Sequence, residues 1–403
     1  MKKKILQINT VSNSGSTGKI AEGIGKCIVN QNWESYIGYG RHIKDSKFSK
    51  EILIGGTLDF YSHALGTRLF DAHGLFSKNA TQQFLRKIES IAPDLIHLHN
   101  IHGYFLNIKI LFEFIKKNKI PTVWTLHDCW AYTGHCAYYS HINCDYWKMQ
   151  CHNCPQTNSY PKSYFDFSKR NYNIKKQFFN NVDNLTIVTP SYWLANEVKQ
   201  SFLNNYDIKV INNGINLNKF KTKSTKRIKE KLGLYDQKII LGVASIWEPR
   251  KGLDDFLSLH EELKDLNFKI ILVGLSDSQV NNLSNDIIGI KRTENVDEMA
   301  ELYSLADVFF NPTYEDNFPT TNIEALACGT PVLTYNTGGS PEIIDQKTGW
   351  VVEPGDLLSV KNILLSFSGK GSYSLFCRKR AEAFYCDKER FQDYIEIYKK
   401  YIN

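Results

Sequence analysis

The chain has 403 residues, 42% of them hydrophobic and 23% charged, with 49 Lys and Arg against 42 Asp and Glu. At roughly 100–200 residues per domain this suggests two or three domains, each able to bury its own core, and excludes disordered, collagenous and coiled-coil chains. The net charge of +7 favours anionic partners such as nucleotides, phospholipid headgroups or nucleic acid, without choosing among them.

Along the chain, Met1–Ile8 opens on three lysines, but Gln7 and Asn9 break its apolar run, so it reads as a first strand, Lys4–Ile8, rather than an export signal. No stretch approaches the roughly 18 apolar residues of a spanning helix. A cytoplasmic, reducing setting is therefore expected, without a disulfide framework for the nine cysteines. The loop Asn13–Ile20 fails the P-loop pattern, which needs Gly where Asn13 stands and Ser or Thr where Ile20 stands. It is left as a glycine-rich strand-to-helix turn at Gly15, Ser16 and Gly18: a close backbone approach to a ligand, or a plain tight connection. Strands follow at Ser35–Tyr39, Asp94–His99, Thr122–His127, Leu185–Thr189 and Lys209–Asn212. A second set lies at Lys238–Ala244, Phe268–Val273, Ile287–Ile290, Val308–Asn311, Pro331–Thr334 and Trp350–Val352. Many are apolar on both faces, the mark of parallel strands covered by helices on each side. The expected architecture is α/β, two doubly wound, Rossmann-like domains facing a central cleft. The turn-forming run 212–216 places the domains at 1–214 and 215–385. Residues 386–403 form a C-terminal helix, with Phe391, Tyr394, Ile395, Tyr398 and Ile402 on one face, packing back on the N-terminal domain.

The densest chemistry lies in 311–332. A loop bears Glu315 and Asp316, and Pro319 with Thr320, Thr321 and Asn322 opens a short helix that Gly329 stops. The amides of Phe318–Thr321 and the positive end of that helix suit a phosphate. Asp316 and Glu324 would flank it, because a carboxylate accepts two hydroxyl hydrogen bonds and so suits vicinal diols. The alternative is a Glu324 that only complements the helix dipole, beside solvated loop acids. In the first half, His127 and Asp128 end one strand, and His97 and His99 alternate along another so that only one faces the cleft; position favours His99.

Asp316-x7-Glu324, Glu324–Val332 and Thr337–Glu342 resemble the Glu-x7-Glu signature and following segment of retaining GT-B glycosyltransferases, family 4 of the sequence classification. The resemblance runs from the first strand to about Pro354. It implies that Glu324 holds ribose hydroxyls and that the first acidic position contacts the donor sugar; here Asp316 stands there, with Glu315 just before it. It also implies that His127 contacts the donor sugar near its reacting carbon, that Asp128 orients it or engages the acceptor, and that Gly15, Ser16 and Gly18 face the donor phosphate and acceptor. Transfer from a nucleotide sugar expels a diphosphate, which needs cations. Lys251 matches the family's phosphate-binding lysine; Ile246 stands where the family has an arginine, and Arg250 is the substitute. The family's same-face mechanism, in which the leaving phosphate helps to deprotonate the acceptor, needs no catalytic metal.

Cys136-x7-Cys144-x6-Cys151-x2-Cys154 could supply a tetrahedral structural zinc site, a redox pair or isolated buried thiols. This segment and Pro190–Leu194 resemble the colanic-acid and polysaccharide branch of the family. Lys162–Phe179 interleaves cations with aromatics, either as a helix resting on an anionic membrane or as one packing its aromatics inward beneath solvated lysines. The expected function is therefore sugar transfer from a UDP- or GDP-sugar to a glycan or lipid-linked acceptor in cell-surface polysaccharide biosynthesis, at the inner face of the membrane. A non-catalytic relative binding a partner or RNA, and a nucleotide-sugar epimerase, are the alternatives; nucleic acid is not the expected partner.

Overall fold

The computed structural model describes residues 2–402. The chain divides into two compact units: one runs to Ile211 and takes back the chain from Lys388 onward, and the other is Asn212–Asp387.

Unit one is built on β1 (Lys4–Val11), β2 (Glu34–Arg41), β3 (Lys50–Leu53), β4 (Leu95–Leu98), β5 (Thr122–Thr125), β6 (Leu185–Thr189) and β7 (Asp207–Val210). All are parallel, in the order β3-β2-β1-β4-β5-β6-β7. Every residue of β4, β5 and β6 is buried, which is why these strands read as unbroken apolar runs. The edge strand β3 (Lys-Glu-Ile-Leu) is half-buried to exposed and carries no such run, so apolar pattern does not reveal it.

Unit two is built on β8 (Lys238–Val243), β9 (Phe268–Val273), β10 (Ile287–Ile290), β11 (Val308–Asn311), β12 (Val332–Tyr335) and β13 (Gly349–Val352). These are also parallel, in the order β10-β9-β8-β11-β12-β13. Both sheets thus run outward from a central strand pair in opposite directions, the doubly wound arrangement, with helices filling the crossovers.

The last helix, Asp387–Ile402, belongs to unit one. Tyr394, Ile395, Tyr398 and Ile402 join Ile5, Ile24, Leu95 and Val123 in one buried cluster, as their shared face requires. This helix also brings hydroxyls into the sheet: Tyr398 Oη lies 2.6 Å from His97 Nδ1, and His97 Nε2 lies 2.8 Å from Thr125 Oγ1.

The segment Lys162–Phe179 departs from its expected form. Only Ser168–Phe179 is helical, and Tyr164, Phe165 and Phe167 stand exposed on the turn before it. Asp166 Oδ1, one residue before the N-cap Phe167, accepts the Ser168 amide at 2.8 Å. Lys175 is not solvated but buried, its ammonium donating to Trp130 O at 2.7 Å and Thr133 O at 3.1 Å.

The Tyr398–His97 contact gives a stability prediction. Tyr398→Phe keeps the ring but strands a buried imidazole nitrogen, at a cost of about 1–3 kcal/mol. Urea unfolding should show a lower midpoint with an unchanged slope.

Candidate functional site

In unit one the strand order reverses at β1/β4, and in unit two at β8/β11. Connections leaving the C-terminal ends of such a pair diverge and open a crevice suited to ligands. In unit two these connections carry Arg250 and Lys251 after β8, and Glu315 and Asp316 after β11.

The two unit-two segments are fastened together by backbone contacts. Gly252 adopts φ +72°, and a Cβ there would meet Pro312 O at 2.2 Å, so only glycine lets the turn press onto the second loop. Arg250 O accepts the Tyr314 amide at 2.8 Å, and Arg250 Nη1 donates to Glu315 O at 2.9 Å. Lys251 Nζ reaches Asp316 Oδ2 at 2.5 Å, both side chains being mostly shielded. From the other side, Gly338 (φ +53°) packs against Asp316 O, to which the Gly339 amide donates at 3.1 Å. Of the adjacent acids, Glu315 is completely buried, whereas Asp316 is half-buried and pairs with the lysine.

The helix Thr320–Ala327 follows, with Pro319 extended at its N-cap and Gly329 (φ +80°) just past its end. Phe318 is buried beside the Tyr385 ring, and its carbonyl accepts Asn213 Nδ2 at 3.1 Å. Phe318 and Pro319 thereby anchor the helix start, while Thr320 and Thr321 are half-exposed. Glu324 is half-buried, and Tyr303 Oη donates to its Oε2 at 2.9 Å. Burial, reinforced by Glu324, pushes the Tyr303 phenol far up, so it stays a donor and fixes the carboxylate. Tyr303 lies 21 residues before Glu324 on a different helix, and no sequence signal joins them.

In unit one, the loops after β4 and β5 meet around one small cavity lined by His99, His102, His127, Asp128 and Trp130. His99 and His127 stack, with Nδ1 and Nε2 3.2 Å apart, and His99 Nε2 lies 3.1 Å from Gln7 Oε1. His97 faces the C-terminal helix instead. His102, which sequence reasoning missed, places Nε2 2.8 Å from Asp128 Oδ2 and Nδ1 2.9 Å from Tyr160 Oη. With Asp128 accepting, Nε2 carries a proton. Burial alone would raise the Asp128 carboxyl; the His102 ring and the Trp130 amide outweigh it and hold the group below its usual value. The place of His102, four residues past β4, was the available signal. Gly15 (φ +60°) and Ser16 lie exposed at the start of helix Gly15–Asn30. Gly18 is buried, where a Cβ would meet Ser12 O at 2.1 Å.

Cys136, Cys144, Cys151 and Cys154 line a separate pocket with His135 and His152. Among the described residues, no helix is long and apolar enough to cross a membrane.

Residues 56–219 match the family described as Glycosyltransferase Family 4, and residues 237–366 match Glycosyl transferases group 1. Over 98% of its length the chain is 24% identical to 99% of an Escherichia coli protein named as the colanic acid biosynthesis glycosyl transferase WcaC. It is 30% identical to an alpha-galactosylglucosyldiacylglycerol synthase of Streptococcus pneumoniae, over 39% of this chain and 44% of that one. Among solved structures, sucrose-phosphate synthase from Thermosynechococcus elongatus superposes with a TM-score of 0.73 at 18% identity, covering 99% of each chain. Anabaena HepE in complex with UDP-glucose gives 0.67 at 16%, covering 98% of this chain and 99% of that one.

The unit-one histidines make a prediction about acid. Burial pushes His127 down to about 4 and His63 to about 3, from 6.5. Between those values the unfolded chain binds protons that the folded chain refuses, so stability rises with pH up to about 6.5 and is lost as pH falls below it. The urea midpoint should therefore drop between pH about 7 and about 5, with a shallower drop in His63→Gln.

Proposed function

Starting from a chain that is a GT-B glycosyltransferase with family 4 and group 1 domains, we propose that it takes the sugar of a nucleotide-sugar donor, a UDP- or GDP-sugar, and passes it with retention to a glycan or lipid-linked acceptor of a cell-surface polysaccharide. The observation that carries this reading is the Tyr303-held Glu324, half-buried in the first turns of the helix that follows the Lys251–Asp316 pair.

Unit two is assigned the donor. Glu324 accepts the ribose hydroxyls, and the amides at Phe318–Thr321 with the helix N-terminus meet the diphosphate. Lys251 and Arg250 stabilise charge as the diphosphate leaves, so fixed cations take the part that a divalent ion plays elsewhere. An arriving diphosphate competes with Asp316 for Lys251, and release of the pair frees that carboxylate for sugar hydroxyls. Asp316 is thus the sugar-facing acid; buried Glu315 supports the loop through its carbonyl. Gly15 and Ser16, exposed at a helix start, are assigned to donor phosphate and acceptor, and Gly18 keeps that turn close to the strand end.

Unit one is assigned the acceptor side. His127, largely neutral at ordinary pH, accepts or donates a hydrogen bond near the reacting carbon without adding charge. Asp128, held by His102, orients the acceptor hydroxyl, and His99 steadies His127. The leaving phosphate takes the acceptor proton on the same face.

Contact with an anionic membrane is assigned to the helix Thr57–Phe70 and the adjoining turn, not to Ser168–Phe179. Leu58, Tyr61 and Leu65 form an exposed stripe, 85%, 65% and 59% accessible. The Tyr164 amide donates to Arg68 O at 2.8 Å, which sets exposed Tyr164 and Phe165 beside it. Arg68, Lys162 and Lys169 supply positive charge.

Two experiments test these assignments. A thermal-shift panel of UDP-, GDP- and ADP-sugars should show one base raising the melting temperature, and Glu324→Ala should weaken that donor about tenfold to a hundredfold by calorimetry. Unchanged affinity in the variant contradicts the role. Co-sedimentation with vesicles should be stronger on phosphatidylglycerol than on phosphatidylcholine and should weaken in Leu58→Ser/Leu65→Ser; indifference to both would remove the membrane assignment.

A further inference from the structure

Between β5 and the helix Ser168–Phe179, residues 126–167 contain only the single turn Ser140–Ile142 and the four-residue helix Tyr146–Met149. Residues 126–139 pack into the unit-one core, but residues 140–167 are mostly exposed and have neither a ladder nor a long helix, so they need another source of order. We propose that Cys136, Cys144, Cys151 and Cys154 bind one structural zinc ion as four thiolates and tie this segment into unit one. This proposal is independent of the donor and acceptor assignments.

The four side chains converge on one pocket, and the Cys136 and Cys154 sulfurs share a hydrogen bond. Three of the four sulfurs also accept backbone N–H groups: Gly134 donates to Cys151 at 3.1 Å, Tyr146 donates to Cys144, and Gln156 donates to Cys154. A thiol is a weak acceptor, whereas a metal-bound thiolate carries charge that amide donors stabilise. In two cases the donor lies two residues after the cysteine, so the chain turns around its own sulfur.

Lys175 supplies a second observation. It is 2% exposed, bonds to two carbonyls and lies 3.5 Å from the Trp130 ring centre. A buried ammonium is costly without an anion nearby. Thr133, whose carbonyl Lys175 meets, lines the same pocket as the four cysteines. A zinc tetrathiolate is a dianion and supplies that counter-charge.

No three of these sulfurs lie within 4.8 Å of one another, the spacing met by the surface trio His42, Asp45 and Glu51, so ligation turns the thiols inward. The thiol protons leave to solvent as the four metal–sulfur bonds form. With all four positions taken by protein, the ion has a structural rather than a catalytic role.

The test uses the full chain purified without a histidine tag. Elemental mass spectrometry should find about one zinc per chain. Protein produced with cobalt should show thiolate-to-cobalt charge transfer and a tetrahedral ligand-field band. Cys144→Ser and Cys154→Ser should each lose the metal. If those variants fail to fold, titration of the wild-type chain with a mercurial decides the matter, zinc release being expected in step with the loss of four thiols. Metal-free wild-type protein, a Cys136–Cys154 disulfide in the intact mass, or zinc retained in both variants overturns the proposal.

Discussion

Arg250 is bonded twice to the loop after β11, accepting the Tyr314 amide through its carbonyl and donating to Glu315 O through its guanidinium. Gly252 removes the side chain that would hold the two segments apart. Through these contacts the turn after β8 and the acidic loop after β11 behave as one body, and Lys251, Asp316 and the start of the Thr320–Ala327 helix inherit fixed positions. Charge on a backbone held in this way needs little movement of the chain to meet a ligand; only the Lys251 and Asp316 side chains have to part. Glu315 and Phe318 are buried within this body, whereas Asp316, Thr320, Thr321 and Glu324 stay partly accessible on it.

Unit one organises its polar groups differently. Imidazoles occupy the ends of β4 and β5, and most are kept neutral by burial, with partners such as Tyr398, Gln7 and Tyr160 satisfying their nitrogens. A neutral ring can orient a hydroxyl without the desolvation penalty of a buried charge. The C-terminal helix takes part directly, since Tyr394 and Tyr398 lie against His97. A chain terminus remote in sequence thus helps to set the polar interior of the first sheet.

The long connection after β5 has no ladder of its own; its first part packs into the unit-one core, and residues 140–167 are mostly exposed. Trp130, Tyr132, Tyr139 and Trp147 give it an aromatic interior, and Lys175 reaches into it from the helix that follows. The same stretch carries Asp128 at one end and the cysteines further on.

By itself the sequence determined the two doubly wound sheets: twelve of the thirteen strands among the described residues were legible, many of them as the continuous apolar runs that parallel strands buried on both faces require. It also determined the Asp316–Glu324 spacing, the Pro319 and Gly329 limits of the helix between, and the buried face of the last helix, all local patterns of a few residues. Tertiary structure decided which of Glu315 and Asp316 pairs with Lys251, that Tyr303 holds Glu324, that His102 meets Asp128, and that Lys175 is buried. Each of these depends on contacts between segments far apart in the chain, whose meeting is set by the packing of whole helices and sheets and leaves no periodicity in the sequence to be read.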